Sequence, residues 1–291
     1  MSKYLHKIGD ELWFKEELAP AIGHSARVDN VLFDDEIDHQ HLVVFENATY
    51  GRMFALNGII QMTSSDEFIY HEMLTHVPLY AHGEAKRVLV IGGGDGGILR
   101  EVLRHRSVEQ VTLVEIEKSV IDFASKWFPE TSNGAFDNPR TNIVIADGAR
   151  YVQETDDRYD VVIVDSTDPV GPGEVLFTEE FYAGCKRVLN TGGILTVQGG
   201  LPFLQPEEPK MIMDRQKPSF TNVEFYVAAV PTYTGGLMTL GFASDAHYPH
   251  DATWLAKRMS ANPLAFRYYN PEVHEASFAL PGYIRDALEG S

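Results

Sequence analysis

Cysteine and long apolar runs are what this sequence of 291 residues most clearly lacks. Its only cysteine is Cys185, which excludes an intrachain disulfide and a zinc site built from several cysteines. No run approaches the roughly 18 apolar residues that a membrane-spanning helix needs, and the first residues hold no apolar core of signal-peptide length. We therefore expect a cytoplasmic protein that has no membrane as a partner.

Positive charge is also scarce, because 24 lysines and arginines oppose 42 aspartates and glutamates, giving a net charge of −18. Nucleic acids and anionic membrane surfaces are polyanions, so this balance argues against both as partners. An acidic surface is compatible with small cationic ligands, although acidity by itself usually serves solubility. The placement of the carboxylates has to decide between these two interpretations.

Two kinds of periodicity divide the chain. Short apolar runs between residues 27 and 62, with Asn57-Gly58 between two of them, predict a small antiparallel sheet. From Arg87 onward, apolar strands alternate with helical segments, which is typical of a mainly parallel sheet covered on both faces. The sequence thus predicts an α/β protein, with a β domain over residues 1–65 and a larger domain over residues 66–291.

Local signals refine this outline. The stretch DEFIYHEMLTHV (66–77) has helical periodicity, and Pro78 is expected to kink or end that helix. The apolar runs VEFYVAAV and LMTLGFAS lie close together, which favours an antiparallel edge that closes the parallel sheet.

A glycine turn follows the first strand of the larger domain. The stretch VLVIGGGDGGILREV (88–102) places Gly92, Gly94 and Gly97 in the spacing G-x-G-x-x-G of dinucleotide-binding proteins. Asp95 lies inside the same turn, where a pyrophosphate would approach most closely, and its carboxylate would repel that group. The turn therefore favours a ligand without a phosphate at this point.

Carboxylates recur where the predicted strands end. They are Asp95, Glu115, Asp147, Asp165 and Asp168. Each has an ordinary explanation alone: a ribose-binding acid, a helix cap, or a turn residue before proline. Ligands of an open parallel sheet bind at this edge, and like charges gathered there are costly unless a cation offsets them. Together they indicate a nucleoside that carries positive charge, such as a sulfonium nucleoside.

The sequence resembles the polyamine aminopropyltransferases, most closely those that form spermidine. The resemblance extends from about residue 27 to the end and is carried by GGGDGG (92–97), VEIE (114–117), ADG (146–148), DSTDPVGPGE (165–174), DEFIYHEM (66–73) and PTYTGG (231–236). It implies a methyltransferase-like Rossmann domain behind a small N-terminal antiparallel β domain, assembled as a homodimer or homotetramer.

The resemblance also implies the donor and the residues that bind it. The donor is decarboxylated S-adenosylmethionine, a co-substrate, and no cofactor or metal is expected. The implied donor-binding residues are Gln40, Gln61, Asp95, Glu115, Asp147, Gly148 and Pro172. Asp95 would hold the ammonium of the aminopropyl chain and would repel the carboxylate of ordinary S-adenosylmethionine.

The acceptor implied by the resemblance is putrescine, whose amine is almost wholly protonated at neutral pH, since alkylammonium groups have a pKa of about 10.4. A proton acceptor is therefore needed. Asp165 matches the family's base. The acceptor-binding positions are Tyr70, His71, Asp95, Asp165, Asp168 and Tyr233. The expected products are spermidine and methylthioadenosine.

Several alternatives remain open. An S-adenosylmethionine-dependent methyltransferase would share the sheet but should avoid an acid at Asp95, and a nicotinamide dehydrogenase would meet the same difficulty. A non-catalytic nucleoside- or polyamine-binding protein could lack Asp165 or Tyr70, which are both present. Cadaverine, agmatine and spermidine are alternative acceptors, because residues 1–26 and the proline-containing segment 201–220 depart from the family pattern.

Two histidine patterns do not indicate a metal site. His71 and His76 are five residues apart, about 140° around a helix, whereas a zincin helix needs a spacing of four. The stretch Asp38-His39-Gln40-His41 resembles a cluster of ligands, but adjacent residues of a strand face opposite ways.

Overall fold

A computed structural model describes residues 3–19, 21–37, 40–167 and 171–290. The chain forms two compact units. One consists of Met1–Phe68 and Val230–Gly236, and the other consists of Ile69–Ala229 and Leu237–Ser291. The division falls close to the domain boundary expected at residue 65, but the sequence had no signal that a short later segment returns to the first unit.

The first unit contains two antiparallel sheets. The three-stranded sheet has the strands Leu5–Ile8 (β1), Glu11–Ala19 (β2) and Ile22–Val28 (β3), and the four-stranded sheet has Asn30–Ile37 (β4), Gln40–Asn47 (β5), Gly51–Leu56 (β6) and Ile59–Thr63 (β7). The fully buried rings of Phe14 and Phe45 stack with centroids 5.1 Å apart in their shared core. Asn57 and Gly58 both have positive φ, as a tight hairpin turn requires, so the predicted hairpin is present.

The carboxylate of Asp66 binds the returning segment within the first unit. It accepts hydrogen bonds from the Thr63 hydroxyl at 2.6 Å and from the Thr232 amide and hydroxyl at 2.7 and 2.6 Å. Asp66 is buried, so these three donors replace the water that the charged group loses. The segment around Thr232 is thereby fixed to the end of β7.

A seven-stranded sheet forms the centre of the second unit. Its strands are Arg87–Gly92 (β8), Gln110–Glu115 (β9), Thr141–Ile145 (β10), Tyr159–Asp165 (β11), Leu189–Gln198 (β12), Asn222–Ala228 (β13) and Met238–Ser244 (β14). Their spatial order is β10-β9-β8-β11-β12-β14-β13. The first five strands run parallel to one another, and β14 pairs antiparallel with both β12 and β13. The predicted α/β class, the mainly parallel sheet and its antiparallel edge are confirmed.

Helices accompany this sheet. They are Glu67–His82 (α1), Gly97–Leu103 (α2), Lys118–Trp127 (α3), Pro129–Ser132 (α4), Gly148–Glu154 (α5), Glu179–Val188 (α6), Glu207–Gln216 (α7), Ala252–Ala261 (α8), Pro271–Ser277 (α9) and Gly282–Glu289 (α10), with 3-10 helices at Ala135–Asp137 and Gly171–Phe177. On one face of the sheet, buried Val162 and Leu195 pack with Tyr182 of α6 and Ile212 of α7. Among the residues described, no helix has the length and apolarity needed to cross a bilayer.

Helix α1 passes through Pro78, so the expectation that this proline might end the helix was wrong. Proline cannot donate to the carbonyl four residues earlier, which here belongs to Leu74. The Thr196 hydroxyl of β12 lies 3.4 Å from that carbonyl and donates to it instead. A tertiary contact thus compensates for the lost helical hydrogen bond.

The prolines of segment 201–220 bound a helix without interrupting it. Helix α7 begins directly after Pro206 and ends before Pro218, and Pro209 lies in its first turn. First-turn residues have no helical acceptor for an amide, so proline is tolerated there.

The order of the strands locates the point where a ligand can enter. The chain runs from β8 outward through β9 to β10, and then returns to place β11 on the other side of β8. Ligands of open α/β sheets bind at the carboxyl ends of the two strands that flank such a reversal. In this sheet those ends are Gly92 and Asp165, which are register partners.

Candidate active site

The glycine turn after β8 packs directly against the end of β11. The Gly93 amide donates to the Asp165 carbonyl at 3.0 Å. Gly92 has a φ of 76°, and a Cβ at this position would lie 2.0 Å from the same carbonyl oxygen. Only glycine permits both the conformation and the approach, which brings the turn residue Asp95 toward Asp165.

Asp95 is held at both carboxylate oxygens. Oδ1 accepts the Gly97 amide at 2.7 Å, and Oδ2 lies 3.4 Å from Nε2 of His71 on α1. Burial acts to raise the pKa of Asp95, but His71, the Gly97 amide and the more distant Arg100 outweigh it and lower the pKa. The side chain is 28% exposed, so a fixed anion reaches the surface of the crevice.

Asp165, the last residue of β11, lies close to Asp95 and His71. The Tyr70 hydroxyl donates to its Oδ1 at 2.7 Å and orients the carboxylate. Burial and the charge of Asp95 raise the pKa of Asp165, although His71 and the Tyr70 hydrogen bond act in the opposite direction. A raised pKa makes a carboxylate a stronger proton acceptor at neutral pH.

His71, Asp95 and Asp165 each offer one nitrogen or oxygen atom within 4.8 Å of the others, a set that could ligate a cation. One oxygen of each carboxylate already accepts a hydrogen bond from a neutral donor of the protein. An ammonium group can donate to the remaining lone pairs without displacing these donors. The arrangement therefore suits an organic cation.

Glu115 ends β9 on the other side of the glycine turn. The residue is 6% exposed, and its carboxylate accepts the Glu117 amide at 3.2 Å and would lie 2.8 Å from a Cβ on Gly94. Burial raises its pKa to about 7, against the backbone hydrogen bonds of Glu117 and Ile116, and the charge of Asp165 adds to the rise. A buried carboxylate at this position can accept from ligand hydroxyls.

Asp147 and Gly148 begin α5 beside the end of β10. Asp147 caps the helix by accepting the Arg150 amide at 3.1 Å, and Gly148 lies so close to Ile91 that a Cβ would be 2.4 Å from its side chain. Asp147 is therefore a helix cap, which is the ordinary explanation that the sequence offered for an acid at this position. Its second oxygen is not used by this cap.

Three exposed apolar side chains were not expected from the sequence. Ile116, Ile145 and Val175 are 53%, 48% and 44% exposed. Ile116 directly follows the buried strand β9, and Ile145 ends the edge strand β10 as the register partner of Glu115. Large apolar side chains left exposed beside polar site residues indicate a surface for a flat, apolar ligand group. The sequence signal that could have revealed this feature is Ile116, an apolar residue directly after Glu115 at the end of β9.

The remaining expected residues belong to the first unit or lie partly outside the description. Gln40 starts β5 and Gln61 lies in β7, where its carbonyl accepts the Tyr233 hydroxyl at 2.7 Å, and all three belong to the first unit. Asp168 lies outside the described residues. Pro172 lies in a 3-10 helix, and its side chain is also outside the description. The roles of all the expected site residues remain predictions.

Family domains match most of the chain. Residues 67–251 match the spermine/spermidine synthase domain, and residues 12–64 match the spermidine synthase tetramerisation domain. The polyamine aminopropyltransferase 1 of Pseudomonas aeruginosa is 52% identical over 279 residues, covering 94% of this chain and 97% of the relative. The polyamine aminopropyltransferase of Serratia proteamaculans is 51% identical over 283 residues, covering 97% and 98%.

Solved structures give the same result at the level of the fold. A spermidine synthase in complex with the transition-state analogue AdoDATO superimposes with a TM-score of 0.89 at 40% identity, covering 96% of this chain and 95% of that one. The spermidine synthase from Thermotoga maritima has a TM-score of 0.87 at 39% identity, covering 95% and 94%.

The raised pKa of Glu115 predicts that this residue destabilises the free protein at alkaline pH. Between its ordinary pKa of 4.5 and about 7, Glu115 is protonated in the folded state and ionised in the unfolded state. The penalty is therefore absent at acid pH and complete above pH 7. We expect Glu115→Gln to raise the free energy of unfolding by about 2 to 3 kcal/mol at about pH 8.5 and to change it little at about pH 4.

Urea unfolding at both pH values measures this effect. The matched control is Glu84→Gln, since Glu84 is exposed and should leave stability within about 0.5 kcal/mol at either pH. A Glu115→Gln protein that is less stable than the parent at alkaline pH would contradict the prediction.

Proposed function

This chain belongs to the spermine/spermidine synthase family and is an aminopropyltransferase, and from this premise we propose that it transfers the aminopropyl group of decarboxylated S-adenosylmethionine to putrescine, giving spermidine and methylthioadenosine. The observation that carries the choice of donor is the anionic group formed by Asp95 and Asp165 in the glycine crevice. A methionine carboxylate or a pyrophosphate placed there would be repelled, whereas an ammonium would be attracted.

The donor is proposed to lie along the edge of the sheet from Glu115 to Asp147. Glu115 would accept from the ribose hydroxyls, as the ribose acid of a Rossmann fold does. The exposed side chains of Ile116, Ile145 and Val175 would contact the adenine, together with Asp147 and Gly148. The protein needs no cofactor in this scheme, because the sulfonium of the co-substrate already activates the carbon that is attacked.

The chemical step is a displacement at the carbon next to the sulfonium. The acceptor nitrogen forms a bond to that carbon, the carbon–sulfur bond breaks, and its electron pair remains on sulfur as neutral methylthioadenosine. Asp165 takes the proton from the attacking nitrogen, with Tyr70 fixing the direction of its carboxylate. Because the leaving group is neutral, the step requires no acid.

Product analysis tests the proposal as a whole. The purified protein is incubated with the decarboxylated donor and with putrescine, cadaverine, agmatine or spermidine in turn, and products are identified by mass spectrometry. We expect putrescine to give the highest kcat/KM, with one methylthioadenosine formed per spermidine. No aminopropylated product from any of the four amines would contradict the proposed function.

Asp165→Asn tests the base. We expect kcat to fall by about 10²- to 10⁴-fold, because the amide cannot take the proton, while donor affinity measured by calorimetry is retained. Asp156→Asn, at an exposed position before β11, is the matched control and should keep full activity. Unchanged turnover in Asp165→Asn would remove this residue from the role of base.

Assembly is proposed from the match of residues 12–64 to a tetramerisation domain. We expect a homodimer or homotetramer, with no nucleic acid or membrane as partner, and we expect the protein to act in the cytoplasm. Size-exclusion chromatography with light scattering should give two or four times the mass of the chain. A monomer at micromolar concentration would contradict this part of the proposal.

A further inference from the structure

His71, for which the family resemblance implies a role in the acceptor site, lies inside the protein. It is 2% exposed. Three of its ring atoms would lie 2.2 to 2.6 Å from a Cβ on Gly97, so the ring occupies space that only glycine leaves free. Its Nε2 lies 3.4 Å from Asp95, and its ring meets that of Tyr70 edge-on at 5.6 Å. His71 is therefore built into the support of the Asp95 carboxylate.

Several charged and titratable groups lie around His71 and its carboxylate neighbours within the described part of the chain. They include Asp95 in the glycine turn, Asp165 on β11 with Tyr70 and Glu115, Arg100 on α2, and Glu72 on α1. Glu72 accepts the backbone amides of residues 267–269 at 2.8 to 2.9 Å, so those donors offset its charge. The net charge next to Asp95 thus changes by one unit when His71 gains or loses a proton.

We propose that His71 determines how strongly the site distinguishes a sulfonium nucleoside that ends in an ammonium from one that also carries a carboxylate. The inference rests on the proposed function, since it takes Asp95 as the receptor for that end of the donor. An imidazolium at His71 offsets the charge of Asp95, so a ligand carboxylate is repelled less. A neutral imidazole leaves the negative charge of Asp95 offset only by the Gly97 amide and Arg100, and the discrimination is then at its greatest.

The consequence is a pH-dependent choice of donor. S-adenosylmethionine, its decarboxylated form and methylthioadenosine are titrated into the full-length protein by calorimetry between about pH 5.5 and pH 7.5, where histidine changes its charge. We expect the ratio of the dissociation constants of S-adenosylmethionine and the decarboxylated donor to rise about fivefold to tenfold across this interval. The ratio removes effects of Glu115, whose proposed ribose contact both donors share. Asp165, whose pKa burial and Asp95 raise to about 6, changes its charge in the same interval, so the share of His71 is measured with the variants below.

Two variants separate this role from a structural one. His71→Gln keeps a hydrogen-bond donor but carries no charge, so its ratio should match that of the parent at high pH and should rise across the interval by about threefold less than in the parent. The rise that remains is the contribution of Asp165. His76→Gln is the matched control, because His76 lies on the same helix but contacts Glu101 and His105, each at 2.8 Å. It should keep the pH dependence of the parent.

Each outcome decides between the hypotheses. A flat ratio in the parent protein, or an unchanged pH dependence in His71→Gln, overturns the role of His71 while leaving the proposed donor intact. If His71→Gln does not fold, Asp165→Asn replaces it, because this variant lacks the titration of Asp165 and a flat ratio in it overturns the role of His71. Failure of both methylthioadenosine and the decarboxylated donor to bind at any pH would instead overturn the proposed function. Methylthioadenosine has no terminal charge, so its affinity should not follow that of the two donors.

Discussion

The close approach of the glycine turn to the end of β11 is the constraint on which the site depends. Gly92 and Asp165 are register partners at the point where the strand order reverses, and the Gly93 amide binds the Asp165 carbonyl. A side chain at Gly92 would collide with that carbonyl. Because the two strand ends meet there, carboxylates separated by seventy residues in the sequence face one small volume.

Gathering acids in this way works against the stability of the free protein. Burial and mutual repulsion raise the pKa values of Asp165 and Glu115, and the pKa of Asp95 is lowered only because a histidine, a backbone amide and a more distant arginine act on it. A cationic ligand relieves the repulsion, so the same charges that oppose folding favour binding. Functional sites commonly hold such unfavourable groups, supported by the structure around them.

Helix α1 supplies much of that support through three consecutive residues. Tyr70 binds Asp165, His71 contacts Asp95, and Glu72 binds the backbone amides of residues 267–269. The helix can continue through Pro78 because Thr196 donates to the Leu74 carbonyl that proline leaves unpaired. The helical turn formed by residues 70–72 of α1 is therefore bound to the glycine turn, to β11 and to the segment 267–269.

The sequence alone determined the α/β class, the antiparallel edge, the hairpin at Asn57-Gly58 and the acids at the strand ends, because periodicity and glycine spacing are local properties. It also pointed to the family, since GGGDGG and D-x-x-D-P-x-G-P are uncommon strings. Only the tertiary structure decided that Pro78 stays within a helix, that His71 lies buried beside Asp95, and that Ile116 and Ile145 are left exposed. Those outcomes depend on partners from distant strands and helices, and no local pattern records which partner will be near.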